Sequence, residues 1–322
     1  MNITRYNKVS ELNLSPYPAL AHIVDRQIAA WPEHEPTIAT SLGNRGLGVM
    51  QDTEDNAVMV TNIANHHYGG LNKVCEGYRY FCQEMILAAE LYFRRHGKYE
   101  RSTFEEAFRD VYSKPNVMEH YMNGLLVSGI FWHNHAYALN FYRTQYLPML
   151  PRGYSHLEIG PGHGALLHLT ATDPNHGRIV GWDVSPSSIK ATQRTLEIIG
   201  ISENIELVCQ DMFEAKTQSN AFDSIVVSEL LEHLEDPLKA LQALYIALKP
   251  GGYILVNMPA NSPAPDHLYL IEKPQEMIDL IKQAGYTVEK EALFPMTGYS
   301  LERCKKDKLT ITCVAVGHKK GC

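Results

Sequence analysis

The chain has 322 residues, 45% of them hydrophobic and 20% charged, and a formal net charge of −7. That length accommodates one large and one smaller folded domain, and the acidic balance argues against nucleic acid as a partner, because polyanions are met by basic faces. No apolar run approaches the ~18–20 residues of a membrane span, so no membrane partner is expected.

The opening stretch MNITRYNKVSEL is polar and mixed in charge, so no secretory signal is expected. Cys75, Cys82, Cys209, Cys304, Cys313 and Cys322 fall at scattered spacings with no C-x-x-C pair. Cys75 and Cys82 lie two helical turns apart, on one face but too distant to bridge. Reduced thiols in a cytoplasmic protein are the expectation. Arg303, Lys305, Lys306 and Lys308 form the one obvious basic cluster and read as a solvated loop.

In chain order, SPYPALAHIVDRQIAAW reads as a short amphipathic helix with Ser15 as a possible N-cap. TSLGNRGLGVMQDTEDNAVMVTNIANHHYGG has no clean period and reads as loops with short elements. LNKVCEGYRYFCQEMILAAELYFRRHG supplies apolar residues three and four apart and ends on Gly97, a C-cap candidate. SKPNVMEHYMNGLLVSGIFWHNHAYALNFYRTQYLPML is a long apolar and aromatic stretch that Pro148 should end. Residues 1–149 are therefore expected to form a mainly helical domain.

After Pro151 the rhythm changes. YSHLEI, GRIVGWDV, NIELVC, FDSIVVS, GGYILVNM, TVEKEALF and LTITCVAVG are short β-prone runs. Helix-forming segments separate them: GALLHLTAT, SPSSIKATQRTLEIIG, DPLKALQALYIALKPG and PQEMIDLIKQAG. Ser185 and Asp236 fit helix starts; Gly200, Gly251 and Gly285 fit helix ends. Alternation of this kind predicts an α/β domain over 150–322, a mostly parallel sheet with helices on both faces. Ligands of such sheets sit beyond the carboxyl ends of the strands.

HLEIGPGHGALLHL, His156 to Leu169, carries a strand into a glycine turn and on into a helix. Gly160, Gly162 and Ala165 satisfy the loose pattern G-x-G-x-x-G/A, and Asp183 follows Gly160 by 23 residues, where a ribose-binding acid is expected. Backbone N–H groups of such a turn can close on NAD or on S-adenosylmethionine (SAM), so this pattern alone leaves both open.

The remaining motifs bear on the choice. Glu158, Gly160, Gly162 and Gly164 resemble motif I of class I SAM-dependent methyltransferases. GWDVSP ends the second strand with Asp183 and Val184, and VCQDMF places Asp211 and Met212 where that family has an acidic residue near the adenine amine. FDSIVVSELLEHLEDP, with Ser228 and Glu229, resembles motif IV, and LKPGGYILV resembles the lead into the fifth strand. The resemblance covers 150–322. It implies a Rossmann-like seven-stranded sheet with one antiparallel strand near the edge, and SAM over Gly160–Gly164, held by the residues just named. An acidic Glu158 under the turn also suits the ammonium of SAM better than the pyrophosphate of NAD.

Two further groups of residues stand out. In SELLEHLEDP, Glu229, Glu232 and His233 share a face if the turn is helical, and Asp266 and His267 follow the fifth strand. E-x-x-E-H with a later His is similar to small-RNA 2′-O-methyltransferases and ubiquinone-pathway O-methyltransferases. That resemblance implies a divalent metal (Mg²⁺, Zn²⁺ or Fe²⁺) on Glu229, Glu232, His233 and His267. The companion expectation is His233 or His267 as general base. NHHYGG and FWHNHAY gather rings and amides in a helical lid. Tyr68, His133, Asn134 and Tyr137 are its candidates for contact with SAM or substrate, since aromatic faces attract a sulfonium.

The expected activity is transfer of the SAM methyl group to an O or N of a small-molecule acceptor. The alternative is a SAM-consuming enzyme that transfers no methyl, as in azetidine-2-carboxylate-forming cyclases. A non-catalytic SAM-binding module would show a damaged turn, whereas Gly160, Gly162, Asp183 and Asp211 are all present.

Overall fold

The computed structural model describes residues 3–321, with residues 216 and 217 described by their backbone alone; Cys322 lies outside this range. Seven strands form one sheet: β1 Tyr154–Ile159, β2 His176–Asp183, β3 Ile205–Cys209, β4 Phe222–Ser228, β5 Leu248–Ala260, β6 Thr287–Pro295 and β7 Ile311–His318. Their order is β3-β2-β1-β4-β5-β7-β6, and the pairings from β3 through β5 are parallel. All seven expected strands are present, in a Rossmann-like α/β sheet. The strand order reverses between β1 and β4, which opens a crevice at their carboxyl ends.

The helices are α1 Pro18–Ala30, α2 Glu35–Gly43, α3 Leu47–His67, α4 Leu71–Tyr80, α5 Leu87–His96, α6 Phe104–Ala107, α7 Pro115–Phe131, α8 His133–Phe141, α9 Ala165–Thr172, α10 Pro186–Ile199, α11 Pro237–Ala247, α12 Pro274–Gln283 and α13 Leu301–Asp307. The chain divides into two compact units. The first holds residues 1–140, 261–270 and 294–312; the second holds 141–260, 271–293 and 313–322. The expected single cut between 149 and 150 is thus replaced by a division that the chain crosses repeatedly, because the segments after β5 and around α13 pack with the N-terminal helices.

In the second unit β4 is buried over most of its length, as a parallel strand covered on both faces must be. Leu167 of α9, Leu196 of α10, Ile179 of β2 and Ile205 of β3 form a buried cluster on one side. Ser185 accepts from Ser188 N at the start of α10, and Asp236 accepts from Lys239 N at the start of α11. Gly200 ends α10 in the left-handed conformation. Gly251 does not end a helix: α11 stops at Ala247, and Gly251 turns the chain inside the start of β5.

In the first unit α1 packs on α3 and α4, and α4 packs on α7. Gly124 of α7 permits this approach, since a Cβ there would come within 2.3 Å of the Phe81 ring. The stretch read as loops is mostly α3, a helix of 21 residues. Its period was obscured because polar Thr53 and Glu54 lie buried among the apolar positions. Glu54 explains a second difference as well. Ser15 is not the N-cap of α1; Tyr17 occupies that position without a side-chain cap. The Glu54 carboxylate instead accepts from Ala19 N at 2.9 Å and Leu20 N at 2.8 Å, supplying acceptors and negative charge at the helix start.

The long aromatic stretch breaks before Pro148, at the extended residue Trp132 between α7 and α8. Wider π-helical turns span Phe81–Ile86, Phe108–Tyr112 and Tyr142–Tyr146. Arg303, Lys305 and Lys306 belong to α13 rather than to a loop, and Arg303 pairs with Asp307 one turn on. Cys75, Cys82, Cys209, Cys304 and Cys313 are free thiols. Among the described residues no helix is long and apolar enough to cross a membrane.

Glu54→Ala removes both bonds at the start of α1 and should lower stability in urea unfolding by about 2–3 kcal/mol. Glu54→Gln keeps an acceptor oxygen and should cost less.

Candidate active site

In the second unit, the carboxyl ends of β1, β2, β3 and β4 each deliver a polar group. Glu158 lies in the middle strand of this set, paired with Gly181 of β2 and Val226 of β4, and is 4% exposed. Burial pushes its carboxyl up to about 8, and Oε2 has no hydrogen-bond partner in the protein. Tyr154 and His156 precede it on the same face of β1. His156 Nδ1 meets Ser224 Oγ at 2.9 Å, and burial holds this imidazole down at about 3, so it is neutral. The Tyr146 hydroxyl lies 2.8 Å from the same Ser224 Oγ.

The turn folds over the end of β1. Gly160 N donates to Trp182 O at 2.8 Å, and Gly164 N closes back on Pro161 O at 2.7 Å. Gly162 has φ +51°, and a Cβ built there meets nothing within 4 Å: the backbone at this point is open to an approaching ligand. Gly164 has φ +75°, and a Cβ there would stand 2.9 Å from Leu196, so close packing of α9 against α10 also demands glycine. Thr192 of α10 donates to Gly162 O at 2.7 Å and pins the turn.

At the end of β2, Asp183 Oδ1 accepts from Ser185 N at 2.8 Å. Burial raises its pKa, against the lowering effect of that bond. The next residue, Val184, is an apolar side chain left 58% exposed. After β3, Asp211 accepts from Phe213 N at 2.9 Å and caps the short turn that begins with the buried Met212.

The motif after β4 is not helical as its spacing suggested. Glu229 sits at φ +50°, in the left-handed region that side chains avoid, and only Leu231–His233 form a single 3₁₀ turn. Glu229, Glu232 and His233 therefore do not share a helical face. Asn257 of β5 holds the strained residue: its carbonyl accepts from Glu229 N at 2.9 Å, and its side chain donates to Ser228 Oγ at 2.9 Å. Burial lifts the Glu229 carboxyl to about 7, and a hydrogen bond with Asn257 opposes the shift. Glu232 is fully buried, with Oε1 3.9 Å from His233 Nε2.

Neither Asn257 nor Thr192 was singled out from the sequence. The available signal was a lone amide in the apolar run YILVNMPA; nothing in SIKATQ marked Thr192.

Five expected residues belong to the first unit. His267 Nδ1 lies 2.6 Å from Ser262 O, so that nitrogen donates and the neutral ring keeps its lone pair on Nε2. Asn134 spends its amide on Thr312 Oγ1 at 2.8 Å, and the Tyr137 hydroxyl donates to Asn44 O at 3.3 Å. Tyr68 ends α3 against the edge of His67, and burial raises its phenol to about 12. The expected His133–Tyr137 pair is present, with ring centroids 4.5 Å apart.

Comparison with known proteins gives a family. A methyltransferase-domain family model matches residues 131–307, more than half of the chain. The ubiquinone/menaquinone biosynthesis C-methyltransferase UbiE of Enterobacter sp. (strain 638) is 34% identical over 106 residues, which are 33% of this chain and 42% of that protein. UbiE of Escherichia coli O9:H4 (strain HS) is 33% identical over the same shares. The chain thus covers well under half the length of these relatives. Among solved structures, a SAM-dependent methyltransferase from Aquifex aeolicus aligns with TM-score 0.42 at 19% identity, over 55% of this chain and 88% of that one. The [4+2]-cyclase SpnF aligns with TM-score 0.45 at 18% identity, over 54% and 78%. With the family model spanning the glycine turn and every strand tip described above, the chain belongs to the methyltransferase-domain family.

Proposed function

We propose that this enzyme transfers the SAM methyl group to an oxygen or nitrogen of a small metabolite. The observation that carries the donor side is Glu158, a buried carboxyl with an unpartnered Oε2 beneath an open glycine turn. The α-ammonium of SAM supplies both the hydrogen bond and the charge that this group lacks. Asp183 suits the ribose diol, the exposed Val184 suits an adenine face, and Asp211 lies at the next strand tip for the adenine amine. NAD would set a pyrophosphate against Glu158, a repulsive pairing.

On the acceptor side, His233 and His267 are proposed as bases for the departing proton, and Tyr68 as a substrate contact. Methyl transfer itself depends mainly on in-line placement of nucleophile, methyl and sulfur. A second reading keeps the expected divalent ion, with Glu232 and His233 as its ligands in the second unit. It is supported by a fully buried Glu232 carboxylate next to an imidazole, a donor pair suited to Zn²⁺ or Fe²⁺. Such an ion, when bound, would act as a Lewis acid on the acceptor hydroxyl.

Incubation with SAM tests the reaction class. S-adenosylhomocysteine formed only when an acceptor is added supports methyl transfer; methylthioadenosine formed from SAM alone supports the cyclase alternative. His233→Ala and His267→Ala should lower turnover about 10²-fold or more while changing SAM affinity little, as calorimetry and kinetics would show. Metal analysis of tag-free protein, with turnover before and after chelation, tests the ion; metal-free protein with unaltered turnover removes it.

Glu158 gives a pH signature. Its folded pKa of about 8 lies above the ordinary 4.5, so between these values the folded protein keeps a proton that the unfolded chain has lost. Stability of the ligand-free protein should therefore fall as pH rises from 4.5 to 8, by about 5 kcal/mol at most. Glu158→Gln should flatten that slope in denaturant titrations. SAM binding near pH 7 should release about one proton, read from calorimetry in buffers of different ionisation enthalpy.

A further inference from the structure

Arg45 lies in the bend between α2 and α3, wholly within the first unit, and is 8% exposed. Nη1 donates to Thr53 Oγ1 at 2.8 Å; Nη2 donates to Ser41 Oγ and to Ile130 O, each at 2.8 Å. Helices α2, α3 and α7 thus contribute one neutral oxygen apiece. Among the described residues no carboxylate pairs with this guanidinium, and its buried Nε has no hydrogen-bond partner.

Such a group is costly. A buried charge without a counterion destabilises a fold by several kcal/mol, and a neutral amide could have met hydroxyls and a carbonyl without that penalty. Burial pushes the Arg45 pKa down to about 9, against which the Tyr137 phenol acts, so the group stays charged at neutral pH. The neighbouring His133 is held at about 4, by burial first and then by the Arg45 charge. It is therefore neutral and adds no second positive charge. His133 and Tyr137 form a half-buried ring pair, anchored by His133 N on Thr297 Oγ1 at 2.9 Å and by the Tyr137 hydroxyl on Asn44 O.

We propose that Arg45, flanked by His133 and Tyr137, binds a small-molecule carboxylate. A carboxylate fits because one negative charge neutralises one guanidinium and accepts the Nε–H in a charge-assisted bond. A phosphate dianion would bring excess charge and more acceptor oxygens than the remaining N–H groups can meet.

The test follows the arginine Nε–H signals in ¹⁵N NMR of the full chain, with the Arg45 signal assigned by its loss in Arg45→Lys. Acetate and benzoate are the probes; benzamide, chloride and inorganic phosphate are controls at constant ionic strength. The Arg45 Nε–H should shift saturably with acetate or benzoate and ignore the controls. Stabilisation by benzoate in thermal unfolding should weaken about tenfold or more in midpoint concentration in Arg45→Gln. A signal indifferent to both carboxylates, or equally responsive to benzamide, chloride or phosphate, overturns the site. That titration uses wild-type protein and stands whether or not Arg45→Gln folds. SAM calorimetry separates this site from the methyl-transfer reading: intact SAM binding with a silent Nε–H overturns the carboxylate site alone.

Discussion

A carboxyl group buried at the end of β1, with a glycine turn closed over it, constrains the rest of the C-terminal half. Glu158 has β2 on one side and β4 on the other and is buried. Its second oxygen finds no donor in the protein. An acid in that condition favours its protonated form until a cation arrives. The turn above it is shaped by the same need, since Gly162 leaves its backbone open where a ligand would approach. A desolvated acid and an exposed backbone thus meet at the carboxyl end of β1.

The strand tips around this centre show a division of labour. Asp183 and Asp211 each commit an oxygen to a local backbone N–H, which fixes the carboxylate while leaving acceptor capacity for a ligand. Glu229 is held in a left-handed conformation by the carbonyl of Asn257 on the adjacent strand. Strain of about 1 kcal/mol or more at such a residue persists only where surrounding contacts enforce it, and it gathers at functional sites.

The first unit uses buried charge in two different ways. Glu54 is matched to backbone N–H groups at a helix start, where its charge complements the dipole and stabilises the packing of α1 on α3. Arg45 has only neutral partners. The contrast separates a structural ion from one whose counterion must come from elsewhere.

Sequence alone determined the elements whose pattern is local. Seven strands, helices α9 to α12, the Ser185 and Asp236 caps and the glycine turn were legible, because alternation, capping and glycine at a turn depend on near neighbours. Tertiary structure decided what depends on distant partners. Helix α3 was illegible because its buried Glu54 and Thr53 serve α1 and Arg45, which lie elsewhere in the chain. The Glu229 turn departed from helical spacing because Asn257, 28 residues on, fixes its backbone. The unit boundary became discontinuous because segments after β5 and around α13 leave the sheet region for the N-terminal helices. Burial did the rest: a carboxyl raised to about 8 and a guanidinium lowered to about 9 acquire those properties only when packing removes them from water.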